Sequence, residues 1–133
     1  KSSAEILIGT LGGTIPEVIE AETLLREQGV NADIYNLRFI KPIDISYFLE
    51  IVHSYDTIFF IEDGVVLGGI GEYLGAETTR NYPEKSYSVF GVPDTFVEHG
   101  SRSELFELCG LSPNRIAERI MHVCGFEKHR VNA

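Results

Sequence analysis

The sequence predicts an α/β fold, a three-layer α/β/α sandwich around a mainly parallel four-stranded sheet in the order 2-1-3-4. Three observations predict it. Short apolar runs alternate with helical segments of ten to fifteen residues, which calls for crossover connections between parallel strands. The first of those runs is apolar on both faces at its centre and the third is β-branched and aromatic throughout, as strands covered by helices on both sides must be. Right-handed crossovers with the most apolar strands innermost then give the flavodoxin-like order. The 133 residues, 44% apolar and 23% charged, suffice for one domain with its own core, spanning 1–133. No repeat, linker or low-complexity tract divides them.

The first strand is read over Ala4–Thr10. Gly12-Gly13 follows as a turn, and Thr14-Ile15-Pro16-Glu17 as a capping box, with Thr14 as N-cap, Pro16 in the first turn and Glu17 reaching back. Val18, Ala21, Leu24 and Leu25 form the core-facing stripe of the helix, which Gly29 ends in the left-handed conformation with Val30 packing back. The second strand is Ala32–Leu37, leaving through an extended Arg38–Pro42 segment. Asp44 caps a helix that runs to Ser54 with Tyr47, Phe48 and Ile51 inside. Thr57–Ile61 is the third strand and is placed centrally. Glu62–Gly71 reads as a glycine-rich loop entering a helix that extends to about Asn81. The fourth strand is Tyr87–Gly91. Ser101-Arg102-Ser103-Glu104 is a second capping box, opening a short helix closed by Gly110. Ser112-Pro113 starts the last helix, with Ile116, Ile120 and Val123 or Cys124 inside.

Charge excludes several function classes. Eleven basic against twenty acidic residues give a net charge of −9, which opposes phosphate backbones and anionic lipid. No run reaches the ~18 apolar residues of a membrane span, and no signal-peptide pattern opens the chain. Cys109 and Cys124 fit neither a CxxC nor a zinc spacing and read as reduced core residues of a cytoplasmic protein. A chain opening on Lys1 rather than Met reads as a fragment or a processed product.

In such a sheet ligands favour the crevice where the strand order reverses, here between the first and third strands, beside Gly12-Gly13-Thr14 and the Glu62–Gly71 loop. Helix amides there could hold an anion. Neither loop matches a GxGxxG fingerprint or a P-loop, and Glu62 with Asp63 places carboxylates where a phosphate would sit, at a cost of a few kcal/mol in a dry site. Three readings therefore stand: carboxylates bonded to local amides or to Arg38 (Arg38 with Glu62 as a structural pair), a cation or polar-ligand site, and a flavodoxin-like nucleotide-binding module. His53 ends a helix, His122 sits beside the last core stripe and His129 lies in the tail. Pro93–Ser101 unites Asp94, Glu98, His99 and Ser101 in one loop. Ser101 has its own work as an N-cap, so Glu98 and His99 read as a docking contact rather than part of a catalytic triad. No HExxH, EF-hand or His/Cys cluster is present.

Four stretches carry a resemblance across residues 5–124: Gly13–Ala21, Asn36–Asp44, Glu62–Gly71 and Gly91–Asp94. Together they resemble the third, C-terminal domain of transketolase-type thiamine diphosphate enzymes, and the first three occur in similar form in 2-oxo acid dehydrogenase beta subunits. The fourth, continued through Thr95–Leu105 and the Gly110-Leu111 helix end, resembles the 1-deoxy-D-xylulose-5-phosphate synthases. The resemblance implies a homodimeric parent enzyme condensing pyruvate with glyceraldehyde 3-phosphate for isoprenoid precursor synthesis, with thiamine diphosphate and magnesium as cofactors. It also implies that cofactor and substrate contacts come from the first two domains, so no catalytic, cofactor or metal role passes to this chain. Arg38, Glu62, Asp63, Gly64, Gly68, Gly69, Gly71, Pro93, Asp94, Glu98 and His99 are accordingly structural or interface candidates, facing the remaining domains of the parent. The family domain opens with an extra antiparallel edge strand that has no counterpart before Ala4. The second strand is therefore expected to be an open edge.

Overall fold

A computed structural model describes residues 4–38, 43–94 and 100–126. The elements in chain order are β1 (Ile6–Leu11), a 3-10 turn (Gly12–Thr14), α1 (Ile15–Glu27), β2 (Ala32–Asn36), α2 (Ile45–Val52), β3 (Thr57–Val65), α3 (Ile70–Asn81), β4 (Ser86–Val92), α4 (Arg102–Cys109) and α5 (Pro113–Val123). All pairings are parallel and the order is β2-β1-β3-β4, as expected. The register sets Ile6, Leu7 and Ile8 of β1 beside Thr57, Ile58 and Phe59 of β3.

Because side chains alternate across a strand, that register sorts the core into two layers. Ile6, Ile8, Phe59 and Ile61 face α1 and α5, where Val18, Leu25, Ile116 and Ile120 close over them. Leu7, Ile58 and Phe60 face the opposite way, toward Phe48 and Val52 of α2 and Leu74 of α3. Phe59 packs on Phe90 with ring centroids 5.5 Å apart. Arg119 lays its guanidinium 3.8 Å from the Phe90 centroid and donates to the Gly110 carbonyl at 3.1 Å, joining α5 to the sheet and to the end of α4. β2 has β1 on one side and no strand on the other among the described residues.

Several local expectations are corrected. Thr14 makes no capping bond; its hydroxyl pairs with Thr10 Oγ1 at 2.8 Å and donates to the carbonyls of Leu11 and Ile61. That ties the turn to β3, and Glu17 is free to bond elsewhere. Tyr47 is exposed, and Phe48 with Val52 fills the core. β3 does not stop at Ile61: Glu62–Val65 prolong it through an irregularity in its pairing with β4. In α5, Val123 is exposed and Ala117 and Met121 take the inner positions. Other signals act as read. Asp44 accepts from the Tyr47 amide, Ser101 accepts from the Glu104 amide, and Gly29 and Gly110 close their helices at φ +80° and +73°. Both cysteines are free and partly buried, and burial raises each thiol's pKa.

Candidate functional site

The carboxyl ends of β1 and β3 meet at the reversal of strand order, and two layers of contact fill that place. The outer layer is a clasp. Gly12 has φ +69°, which favours glycine there, and a Cβ on Gly13 would stand 2.7 Å from Asp63 Oδ2 and displace that carboxylate. Asp63 accepts from the Gly13 amide at 3.3 Å. Arg102, from the first turn of α4, donates to the Gly13 carbonyl and, at 2.5 Å, to Glu17 of α1. Its guanidinium also lies 4.1 Å from the Phe106 ring centroid. Bonding to Glu17 holds the Arg102 pKa above its ordinary value.

The inner layer is built around Glu62, which is only 4% exposed. Cβ atoms on Gly69 and Gly71 would stand 2.8 and 2.9 Å from its Oε1, and one on Gly91 would stand 3.3 Å from its Cγ. The glycines of the 62–71 segment thus make room for a carboxyl side chain, where a phosphate loop would keep its backbone clear for a ligand. Burial pushes the Glu62 pKa up; the Gly71 amide opposes the shift and Asp63 adds to it. Glu62 Oε1 is buried and has no hydrogen-bond partner. Tyr87, which donates to the Gly71 carbonyl at 2.7 Å, is raised by burial and then by Glu62.

The proposed Arg38–Glu62 pair does not form: Arg38 is exposed beyond the end of β2, and Glu62 is enclosed by the glycine segment. Gly64 presses its carbonyl toward Gly91, Gly68 adopts φ +73°, and Gly69 is the N-cap of α3. Pro93 and Asp94 are exposed after β4. Glu98 and His99 lie outside the described residues. Arg102 was not singled out by the sequence reading. The signal for it was its place: a cation in the first turn of a helix opposes the helix dipole and calls for an anionic partner elsewhere, here Glu17. Beside the clasp lies a mostly apolar cavity of about 320 Å³, lined by Asp63, Val65, Val92, Leu105, Phe106 and Cys109.

Comparison with known proteins adds a second line of evidence. Residues 1–116 match the family model described as transketolase, C-terminal domain. The chain belongs to that family. A 1-deoxy-D-xylulose-5-phosphate synthase of Treponema pallidum is 41% identical over 119 residues, which is 90% of this chain and 19% of that protein. The synthase of Bacillus mycoides is 36% identical over 121 residues, again 90% of the chain and 19% of the relative. The chain therefore spans about a fifth of the length of these relatives. Among solved structures, a split-gene transketolase in an inactive beta4 tetramer superposes with TM-score 0.82 at 23% identity, over 96% of this chain and 42% of that one. A Pichia stipitis transketolase gives 0.68 at 24% identity, over 95% of this chain and 17% of that one. At such identities the likeness carries the fold alone. A transketolase C-terminal domain is thus what both the sheet order and the sequence comparison describe.

Proposed function

We propose that this chain serves as a non-catalytic interface domain of a thiamine-diphosphate-dependent 1-deoxy-D-xylulose-5-phosphate synthase, acting in the cytoplasm. The enzyme would join pyruvate to glyceraldehyde 3-phosphate with loss of carbon dioxide, and would work as a homodimer. The observation that carries this reading is the 41% identity to a synthase across 90% of the chain and only 19% of the relative. Partners are then the remaining domains of the same enzyme. Val65, Leu67 and Leu108, exposed at 41, 67 and 71%, are apolar candidates for the surface that meets them.

The groups at the switch point weigh against a thiamine diphosphate site there. Among the described residues no group of three or more His, Cys, Asp or Glu side chains is placed to hold a metal ion. At the switch point, the Gly13 amide is bonded to Asp63 and the start of α3 faces Glu62, so a diphosphate there would meet two carboxyl groups. No chemical step is assigned to this chain. The same contacts weigh against a stand-alone nucleotide module. No observation favours a 2-oxo acid dehydrogenase beta subunit over the synthase.

The reading is tested by turnover. The chain alone should form no deoxyxylulose phosphate from pyruvate and glyceraldehyde 3-phosphate with both cofactors supplied. Grafted in place of the matching fifth of the Treponema pallidum synthase, it should leave a dimeric, active enzyme. Turnover by the lone chain, or a folded dimeric chimera without activity, overturns the proposal.

A further inference from the structure

The glycine segment covers a group that nothing in the mechanism of a scaffold requires. Glu62 Oε1 and the Val65 carbonyl oxygen lie 2.8 and 2.7 Å from the same point, the place where a Gly69 Cβ would stand. Both are acceptors when the carboxyl is ionised, and both border the space that the missing methyl leaves open, with Oε1 buried and without a hydrogen-bond partner. An ionised carboxylate buried against a carbonyl is repelled and poorly solvated; a protonated one is a donor with an acceptor beside it.

The charges around Glu62 point the same way. On its own strand the next residue is Asp63. From β4 it faces Tyr87, which is uncharged at neutral pH, and the first turn of α3 carries Glu72, which accepts from the Gly68 amide at 3.4 Å. The nearby cation, Arg102, is committed to Glu17 and the Gly13 carbonyl and faces Asp63. Only the Gly71 amide favours the ionised form.

We infer that Glu62 is held as a neutral carboxylic acid whose hydroxyl donates to the Val65 carbonyl, and that this proton locks the 63–69 segment onto the end of the sheet. Loss of the proton sets two acceptors against each other and releases the segment. The lock lies beside the surface that presents Val65 and Leu67, so proton loss changes how that surface is offered to whatever covers it. The inference concerns the segment itself and stands whether or not the enzyme is a synthase.

A carboxyl whose pKa is raised by folding contributes stability that is fully present below its unfolded value and is lost as pH rises through its folded value. The intact chain should therefore lose stability as pH climbs above the ordinary carboxylate range, and Glu62→Gln should not.

Two measurements on the 133-residue chain test this. In a carbon-detected titration, the Glu62 carboxyl should remain protonated at a pH above the ordinary carboxylate range. Between the ordinary carboxylate range and the Glu62 midpoint, hydrogen exchange at the Val66 and Gly69 amides should accelerate by up to about tenfold per pH unit beyond its intrinsic pH dependence, as a one-proton opening requires, and level off above that midpoint. In Glu62→Gln that acceleration should vanish. Glu62 ionising within the ordinary carboxylate range, or Val66 and Gly69 exchange with the same pH dependence in Glu62→Gln as in the unsubstituted chain, overturns the lock. The titration of the unsubstituted chain decides the matter even if Glu62→Gln fails to fold.

Discussion

A methyl group on Gly71 would stand 2.9 Å from Glu62 Oε1 and from Phe60 Cδ1, and 2.8 Å from Val89 Cγ1. Helix propensity favours alanine over glycine by ~1 kcal/mol, yet the contact predicts the opposite sign. Gly71→Ala should destabilise by ~1–3 kcal/mol, as overpacking does, and part of that loss should disappear in the Glu62→Ala background. Chemical denaturation of the four-member cycle checks it; additive losses would show that Glu62 does not set the glycine requirement. Arg102 gives a second residue-scale expectation. It bridges α4 to α1 and to the turn, whereas Arg80 pairs only with Glu77 three residues away on its own helix. Arg102→Ala should therefore lower the melting temperature more than Arg80→Ala, and added salt should narrow the gap. Equal effects would contradict the clasp.

At the scale of elements, α5 is held by what it buries. Ile120 is fully buried against the α1 side of the core, so Ile120→Ala should cost ~2–5 kcal/mol in a denaturant melt. A loss below ~1 kcal/mol would mean that α5 docks loosely on α1. The elements also show what was legible. Caps and stops written in one residue's own chemistry, such as Asp44, Ser101, Gly29 and Gly110, could be read because backbone geometry alone selects them. Tyr47 reads as an inner residue but is exposed; α2 is almost uniformly apolar, and periodicity cannot choose an inner face where nearly every face qualifies. Thr14 does not act as the cap it reads as because its hydroxyl is taken up by Thr10 and by the carbonyls of Leu11 and Ile61, contacts that local sequence does not encode. Glu62–Val65 did not read as strand because two acids and a glycine carry no strand preference. Their extended shape comes from pairing across the sheet, which local sequence does not encode.

Across the whole molecule, the sheet order was legible because apolar runs and crossover handedness leave few arrangements. The site was only half legible. The glycines and the acids stood out together, but their relation was hidden: the glycines exist to admit Glu62, and Asp63 with Arg102 seals the turn that an anion would need. A domain whose switch point is closed by its own side chains suits a role at an interface. The most direct test is calorimetric titration of the isolated chain with thiamine diphosphate in the presence of magnesium. A switch point closed by Asp63, Glu62 and Arg102 should give no heat of binding beyond dilution up to millimolar cofactor. Saturable binding in the micromolar range would contradict it.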